Sequence, residues 1–145
     1  MTILKKGSID IISDGYETVC NDSKGSLKRS GGMGDLLSGT IATFSYWSHL
    51  FTDSKAKQRA HSAEESISKA LGRLDETNEH TRQNKNQIEQ VGKAINKPTI
   101  MAAYCASMLV KECSLQAFIK HRRSMLASDV IEHIPKVFYE MFDKQ

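Results

Sequence analysis

The segment from Asp35 to about Phe51 constrains the fold most, because apolar residues recur at helical spacing around a large part of its circumference. One side of the predicted helix carries Leu37, Ile41, Phe44 and Phe51, and Leu36, Trp47 and Leu50 widen it. A helix with so much apolar surface is stable in water only when other elements cover it. We therefore expect this helix to be buried against a sheet.

The residues before that helix predict a small sheet. Residues 2–5, 9–13 and 16–20 have the short, partly alternating apolar pattern of β-strands. Asp14-Gly15 lies between the second and third strands and predicts a two-residue hairpin, because both residues tolerate positive φ. The pattern predicts a mixed α/β chain, with a short strand hairpin followed by packed helices.

The C-terminal third predicts two helical regions. Pro98 suits the first turn of a helix. The helical spacing continues through Ala102, Ala106, Leu109, Val110, Cys113, Ala117 and Phe118. Ser128 is a predicted N-cap for a last helical segment that begins at Asp129, and Pro135 is expected to divide that segment into two short helices.

The whole chain, residues 1–145, is interpreted as one domain with a polar insertion at about 52–97. The insertion has almost no aromatic residues and carries only two weak apolar stripes, so we expect exposed helices or a partly disordered segment. Pairing with itself or with another chain is the alternative, which would make a homo-oligomer. The stripes do not sustain the heptads of a coiled coil.

Charge and cysteine content exclude several classes of function. The net charge of +3 is small and scattered, and the basic cluster 120–123 is expected to be a solvated helix end, so no nucleic-acid partner is predicted. The longest apolar stretch, residues 99–110, is shorter than the about 20 residues needed to cross a bilayer. Cys20, Cys105 and Cys113 form no CxxC pair and indicate a reducing compartment, with Cys20 and Cys113 expected in the core. The histidines have no metal-binding spacing, so no metal site is predicted.

The segment Gly31-Gly32-Met33-Gly34-Asp35 carries the strongest indication of chemistry. Three glycines directly before an apolar helix let successive amides point into one concavity, and the helix N-terminus adds about half a positive charge. These features favour a phosphate site, with Asp35 placed to accept a proton from an attacking hydroxyl. The alternative is a glycine-rich loop in which Asp35 is an ordinary helix cap. The spacing matches neither the GxxxxGK[ST] nor the GxGxxG motif.

Several short motifs resemble the eukaryotic ATP-dependent NAD(P)H-hydrate dehydratases, which have a ribokinase-like fold. Lys6-Gly7-Ser8-Ile9-Asp10 resembles the family's KGxxD, and Gly25–Asp35 followed by LLSGT resembles its GSxxRCGGxGD run. Arg123–Asp129 resembles the family's C-terminal helices, although Arg122 stands where the family usually has glycine. The resemblance covers residues 1–48 and 98–145 and corresponds to the C-terminal portion of the family's three-layer domain.

This resemblance implies an enzyme that uses ATP to phosphorylate the hydroxyl of hydrated NADH or NADPH, after which loss of phosphate restores the cofactor. Asp35 would contact the hydrated nicotinamide and act as the base, and Mg²⁺ would accompany ATP. The residues implied in ATP binding are Lys6, Gly7, Ser8, Ile9, Asp10, Gly25, Ser26, Leu27, Lys28, Arg29, Ser30, Gly31, Gly32, Met33 and Gly34. Family members occur in the cytoplasm and in mitochondria, so either compartment is expected.

Two alternatives stay open. The chain lacks the N-terminal half of the family's domain, so it could be a truncated, inactive nucleotide-binding or interaction module. It could also be another small-molecule kinase of the ribokinase-like fold, which GGxGD fits equally well and the KGxxD and GSLKRSGG segments fit less well. Lys28 and Arg29 could reach phosphates or remain solvated loop charges.

Overall fold

The computed structural model of the chain describes residues 1–52 and 97–143, with side chains described for 1–50 and 97–143. Three strands precede three α-helices in this part of the chain. Their bounds are β1 Ile3–Lys5, β2 Asp10–Ser13, β3 Thr18–Asn21, α1 Met33–Thr52, α2 Pro98–His121 and α3 Ala127–Phe138. A 3-10 turn at Arg122–Ser124 joins α2 to α3, and a π-helical turn at Tyr139–Asp143 follows α3. The predicted insertion lies, from residue 53 to residue 96, outside the described residues.

The strands form one antiparallel sheet in the order β1-β2-β3, in which Ile12 lies opposite both Leu4 and Val19. Side chains alternate between the two faces of a strand, so these three residues share the covered face. Cys20 points the other way and is exposed. The prediction of Cys20 in the core was wrong, because the strand register places Val19 and Asn21 inward instead.

The connection between β2 and β3 differs from the predicted two-residue hairpin. It runs over residues 14–17, because Ser13 pairs with Thr18. Asp14 Oδ1 accepts hydrogen bonds from the amides of Tyr16 and Glu17 at 2.9 and 2.8 Å. This side-chain-to-backbone turn stabilises a wider loop than a pattern search for Asp-Gly anticipates. Gly15 does adopt the expected positive φ, at 93°.

Helix α2 is the centre of the described core. Near its N-terminus, Ile100, Ala103 and Tyr104 pack on Ile12 and Val19 of the sheet. Its next turns contact α1 through Ala106 and Val110, which pack on Leu37. Cys113 and Ala117 then pack with Val130 and Val137 of α3. Small residues let these elements approach closely, and Pro98 occupies the first turn as predicted.

The end of the chain corrects two predictions. Helix α3 begins at Ala127 rather than Asp129, and Leu126 rather than Ser128 is the N-cap. Asp129 Oδ2 accepts the Leu126 amide at 2.7 Å, so the acidic residue stabilises the helix start from within the first turn. Pro135 does not divide α3, which continues to Phe138. Pro135 is exposed, and Val130 and Val137 are buried on either side of it, so packing holds the helix together despite the lost amide.

Burial lowers the reactivity of two cysteine thiols. Burial raises the pKa of Cys113 to about 12 and that of Cys105 to about 11, so neither is an activated nucleophile.

Among the described residues, no helix combines the length and the apolar character needed to span a membrane.

Candidate functional site

The glycine-rich turn at the start of α1 is open to solvent. Gly32 has a φ of +83°, and its carbonyl accepts the Leu36 amide at 3.0 Å, so the turn leads directly into the first helical hydrogen bond. Gly31, Gly32 and Gly34 are exposed, and no atom lies within 4 Å of the position of a Cβ on Gly31 or Gly34. The tip of α1 is therefore accessible to an anion, and phosphate binding at this turn stays a prediction.

Asp35 lies in the first turn of α1 and is exposed. An acidic side chain in this position is stabilised by the helix dipole and lies next to the open glycine turn. The Asp35 backbone carbonyl accepts the Ser38 hydroxyl at 2.9 Å, a contact within the helix. The geometry leaves the carboxylate available to a ligand at the helix tip, and its role as a base stays a prediction.

Met33 contributes to this turn differently from its glycine neighbours. Its side chain is half-buried and packs against the core clusters around Leu109 and Leu37. Gly32 is tightly placed on the same side, since a Cβ there would lie 3.2 Å from the Ala127 Cβ. Within the predicted phosphate loop, Met33 therefore anchors the turn to the core, and only its backbone faces the open side.

The segment Gly25–Ser30 is held against α2 and against the turn before α3. The Ser26 amide donates to Ser114 Oγ at 3.1 Å. The Lys28 ammonium and the Ser30 hydroxyl both donate to the Met125 carbonyl, at 2.7 and 3.0 Å. The Lys28 ammonium thus holds the loop to the protein, and a contact of Lys28 or Arg29 with phosphate stays a prediction. Leu27 and Arg29 are exposed.

The segment Lys6–Asp10 combines an exposed loop with a buried carboxylate. Residues 6–9 are exposed, whereas Asp10 is 3% exposed at the start of β2. Asp10 Oδ1 accepts the Gly7 amide at 2.7 Å, which closes the loop on itself. The buried Asp10 carboxylate thus stabilises the conformation of this loop, while Lys6 and Ser8 are exposed.

A polar stripe on α2 joins the two segments, and the sequence analysis did not identify it. Ser107, Lys111 and Ser114 follow helical spacing on one side of an otherwise apolar helix. Ser107 contacts Asp10, Lys111 contacts Ser8, and Ser114 contacts Ser26. Three polar residues at i, i+4 and i+7 in a predicted buried helix are the signal that could have revealed it.

The antiparallel sheet, the helices on one of its faces and the exposed glycine turn define an α/β chain that corresponds to part of a ribokinase-like fold. A family model described as NAD(P)H-hydrate dehydratase matches residues 1–91, which is more than half of the 145 residues. The chain belongs to this family.

Individual relatives agree with this assignment and extend it over nearly the whole chain. Three proteins named ATP-dependent (S)-NAD(P)H-hydrate dehydratase are similar to it. The one from Ciona intestinalis is 34% identical over 143 residues, 99% of this chain and 28% of that protein. The one from Ixodes scapularis is 36% identical over 142 residues, 98% of this chain and 37% of that protein. The one from Entamoeba histolytica is 36% identical over 142 residues, 98% of this chain and 34% of that protein. The chain thus spans about a third of the length of these relatives.

Proposed function

We propose that the chain takes part in ATP-dependent dehydration of hydrated NADH and NADPH. The observation that supports the proposal best is the open glycine turn at the tip of α1, with the exposed carboxylate of Asp35 beside it in the first turn of the helix. A helix N-terminus and unobstructed glycine amides favour the phosphates of a nucleotide. The names of the relatives supply the reaction, which the anion site alone does not define.

The proposed reaction has two steps. Asp35 accepts the proton of the hydrate hydroxyl, whose oxygen attacks the γ-phosphorus of ATP and releases ADP. The carbon–oxygen bond of the phosphorylated hydrate then breaks, inorganic phosphate leaves, and a neighbouring proton is lost to form the ring double bond. The sum converts hydrate and ATP into NAD(P)H, ADP and phosphate. The amides of residues 32–34 would donate hydrogen bonds to the phosphate oxygens and so stabilise the negative charge that develops there during transfer.

Magnesium is proposed to arrive with the nucleotide. Among residues 1–52 and 97–143, no group of three or more His, Cys, Asp or Glu side chains could hold a metal ion. Mg²⁺ in such sites keeps several waters and is bound largely by the substrate phosphates, with one or two carboxylates. The phosphates of the nucleotide would hold the ion, and the ion would neutralise part of their charge.

A second candidate is a nucleotide-binding module without turnover of its own. The chain spans about a third of the relatives it matches. The two segments proposed to contact ATP, Lys6–Asp10 and Gly25–Gly34, both lie within this chain. ATP binding without release of ADP would support this candidate over the first.

Asp35→Asn tests the catalytic role. The rate is followed by the appearance of NADH absorbance when the purified chain is mixed with ATP, Mg²⁺ and hydrated NADH, and ATP binding is measured separately by calorimetry. We expect Asp35→Asn to lower the rate by at least about a hundredfold, the usual contribution of a general base. Because Asp35 is exposed, stability should fall only by the loss of the helix-dipole interaction, about 0.3–1 kcal/mol. Asp22→Asn is the control for the loss of an exposed carboxylate outside the site, since Asp22 is exposed in the loop after β3. A variant Asp35→Asn with the wild-type rate would overturn the base role, and wild-type chain that binds no ATP would overturn the phosphate site.

A further inference from the structure

One largely buried ammonium lies between the two segments to which the proposed function assigns ATP. Lys111 Nζ donates to the carbonyl of Ser8 at 2.8 Å and to the carbonyl of Asn21 at 3.1 Å. It also lies 3.8 Å from Asp10 Oδ2, and the two side chains are 12% and 4% exposed. The Lys111 ammonium therefore binds the loop before β2 and the end of β3 at the same time.

The same carboxylate closes the network on its other side. Asp10 Oδ2 accepts the Ser107 hydroxyl at 2.6 Å, and Ser107 Oγ accepts the Asn21 side-chain amide at 2.7 Å. Asn21 Oδ1 in turn accepts the Ser23 amide at 3.0 Å, at the point where the chain leaves β3. Because Asp10, Asn21 and Ser107 are each at most 3% exposed, water does not compete for these bonds.

The aliphatic part of Lys111 contacts the second segment. A Cβ on Gly25 would lie 3.4 Å from Lys111 Cγ and 3.5 Å from Ser114 Oγ, so the backbone at Gly25 rests directly on this part of α2. Ser114 Oγ also donates to the Lys111 carbonyl at 2.7 Å while it accepts the Ser26 amide. The Lys111 side chain thus contacts both segments: its aliphatic part packs against Gly25, and its ammonium binds the Ser8 carbonyl.

We infer that Lys111 is a positioning residue that fixes the Lys6–Asp10 and Gly25–Gly34 segments relative to each other, so that one ATP molecule can contact both. The inference rests on the proposed function, since that function makes both segments nucleotide contacts. A ligand that bridges two loops binds more tightly when the loops are already ordered, because binding then does not have to order them. Lys111 acts on ATP only through those loops.

The first test compares ATP binding to the wild-type chain, Lys111→Met and Lys111→Arg by calorimetry. Methionine keeps an aliphatic stem against Gly25 and removes the donors, whereas arginine restores a cation. We expect Lys111→Met to raise the Kd for ATP roughly tenfold to a hundredfold, the loss expected for a charge-assisted hydrogen bond, and Lys111→Arg to recover most of that affinity. Wild-type affinity in Lys111→Met would overturn the inference, as would a failure of Lys111→Arg to bind better than Lys111→Met.

The second test does not depend on ATP and separates this inference from the proposed function. Amide hydrogen exchange of the ligand-free chain should increase in Lys111→Met at both residues 7–9 and residues 25–30. Ser114→Ala, which keeps the ammonium, should increase exchange at residues 25–30 alone, and it supplies a milder variant if Lys111→Met does not fold. Leu109→Ala controls for general destabilisation, because Leu109 is buried on the opposite side of α2, in the cluster with Cys113 and Val130.

Two results of the exchange experiment decide between the ideas. Increased exchange at both segments in Lys111→Met, combined with no ATP binding by the wild-type chain, would support the coupling by Lys111 and overturn the phosphate site. Unchanged exchange at residues 7–9, or an equal increase in Leu109→Ala, would overturn the coupling even if the wild-type chain binds ATP.

Discussion

The ammonium of Lys97 lies 2.7 Å from Asp14 Oδ2 and so joins the β2–β3 turn to the residue that precedes α2. The hydrogen bond from Lys97, followed by those from the amides of Glu17 and Tyr16, holds the pKa of Asp14 well below its ordinary value. The same pair raises the pKa of Lys97 above its ordinary value. This contact connects the sheet to the central helix at the opposite end of β2 from Asp10.

Asp14→Asn is predicted to weaken the acid sensitivity of the fold. Because the folded-state pKa of Asp14 is lowered, its contribution to stability is present above the unfolded value of 3.8 and is lost as the pH falls below it. Urea unfolding midpoints measured at intervals between about pH 6 and pH 2 should therefore fall less steeply in Asp14→Asn than in the wild-type chain. Added salt should reduce the difference, because the pair is near the surface. Equal slopes for the two proteins would contradict the prediction.

Gly34→Ala is predicted to stabilise the protein and to weaken ATP binding. Gly34 is the second residue of α1, with open space at the position of its Cβ, so alanine should raise stability by about 0.4–1 kcal/mol because it restricts the unfolded chain. In the proposed site, however, the added methyl group would project beside the amides that bind phosphate. Thermal unfolding and ATP calorimetry on the same variant would measure the two effects.

Gly39→Ala is the matched control for this experiment. Gly39 is also exposed within α1 and also has no atom near the position of its Cβ. It should give a similar gain in stability with unchanged ATP affinity, because it lies more than one helical turn from the tip of α1. Unchanged ATP affinity in Gly34→Ala would argue against a phosphate site formed by residues 32–34.

Tyr104→Phe is predicted to stabilise the core. The Tyr104 ring packs between α2 and the sheet at 1% exposure, and its hydroxyl has no hydrogen-bond partner in the described structure. Burial also raises the pKa of Tyr104 to about 12, which agrees with an apolar environment. Because a buried polar group without a partner costs about 1–3 kcal/mol, removing the hydroxyl should raise the unfolding free energy by about 1 kcal/mol. Tyr139→Phe, at an exposed ring, should change it little, and a less stable Tyr104→Phe would indicate an unseen partner.

The order of the elements could be predicted because it depends on local patterns. Alternation gave the three strands, helical spacing gave α1 and α2, and Pro98 marked the start of α2. The errors occurred where tertiary contacts decide. Cys20 and Val19 are adjacent apolar residues, and only the pairing with β2 determines which of them faces α2.

The candidate site was predictable only in part, for a related physical reason. The glycines before α1 are a local signal, because positive φ at Gly32 is a property of one residue. The partners of Lys28 and Lys111 are backbone carbonyls 97 and 103 residues away along the chain. Because every residue has a backbone carbonyl, the sequence does not show which one a lysine will contact. Sequence patterns therefore indicate which segments face a ligand, whereas the residues that hold those segments in place emerge from the fold.

Arg122→Gly is predicted to stabilise the chain at the end of α2. Arg122 is the C-cap of α2 with φ +53° and ψ −130°, and no other non-glycine residue in the described structure has a positive φ. Its side chain is exposed, so Arg122 contributes to the cap through the hydrogen bond that its backbone amide donates to the Phe118 carbonyl. Glycine keeps that hydrogen bond. Relief of the backbone strain, partly offset by the greater freedom of glycine in the unfolded chain, should raise stability by about 1 kcal/mol. Arg123→Gly is the control: it removes the same charge from the same exposed cluster but relieves no positive φ, so its midpoint in urea unfolding should fall slightly or stay constant. Equal shifts in the two variants would assign the effect to charge rather than to backbone strain.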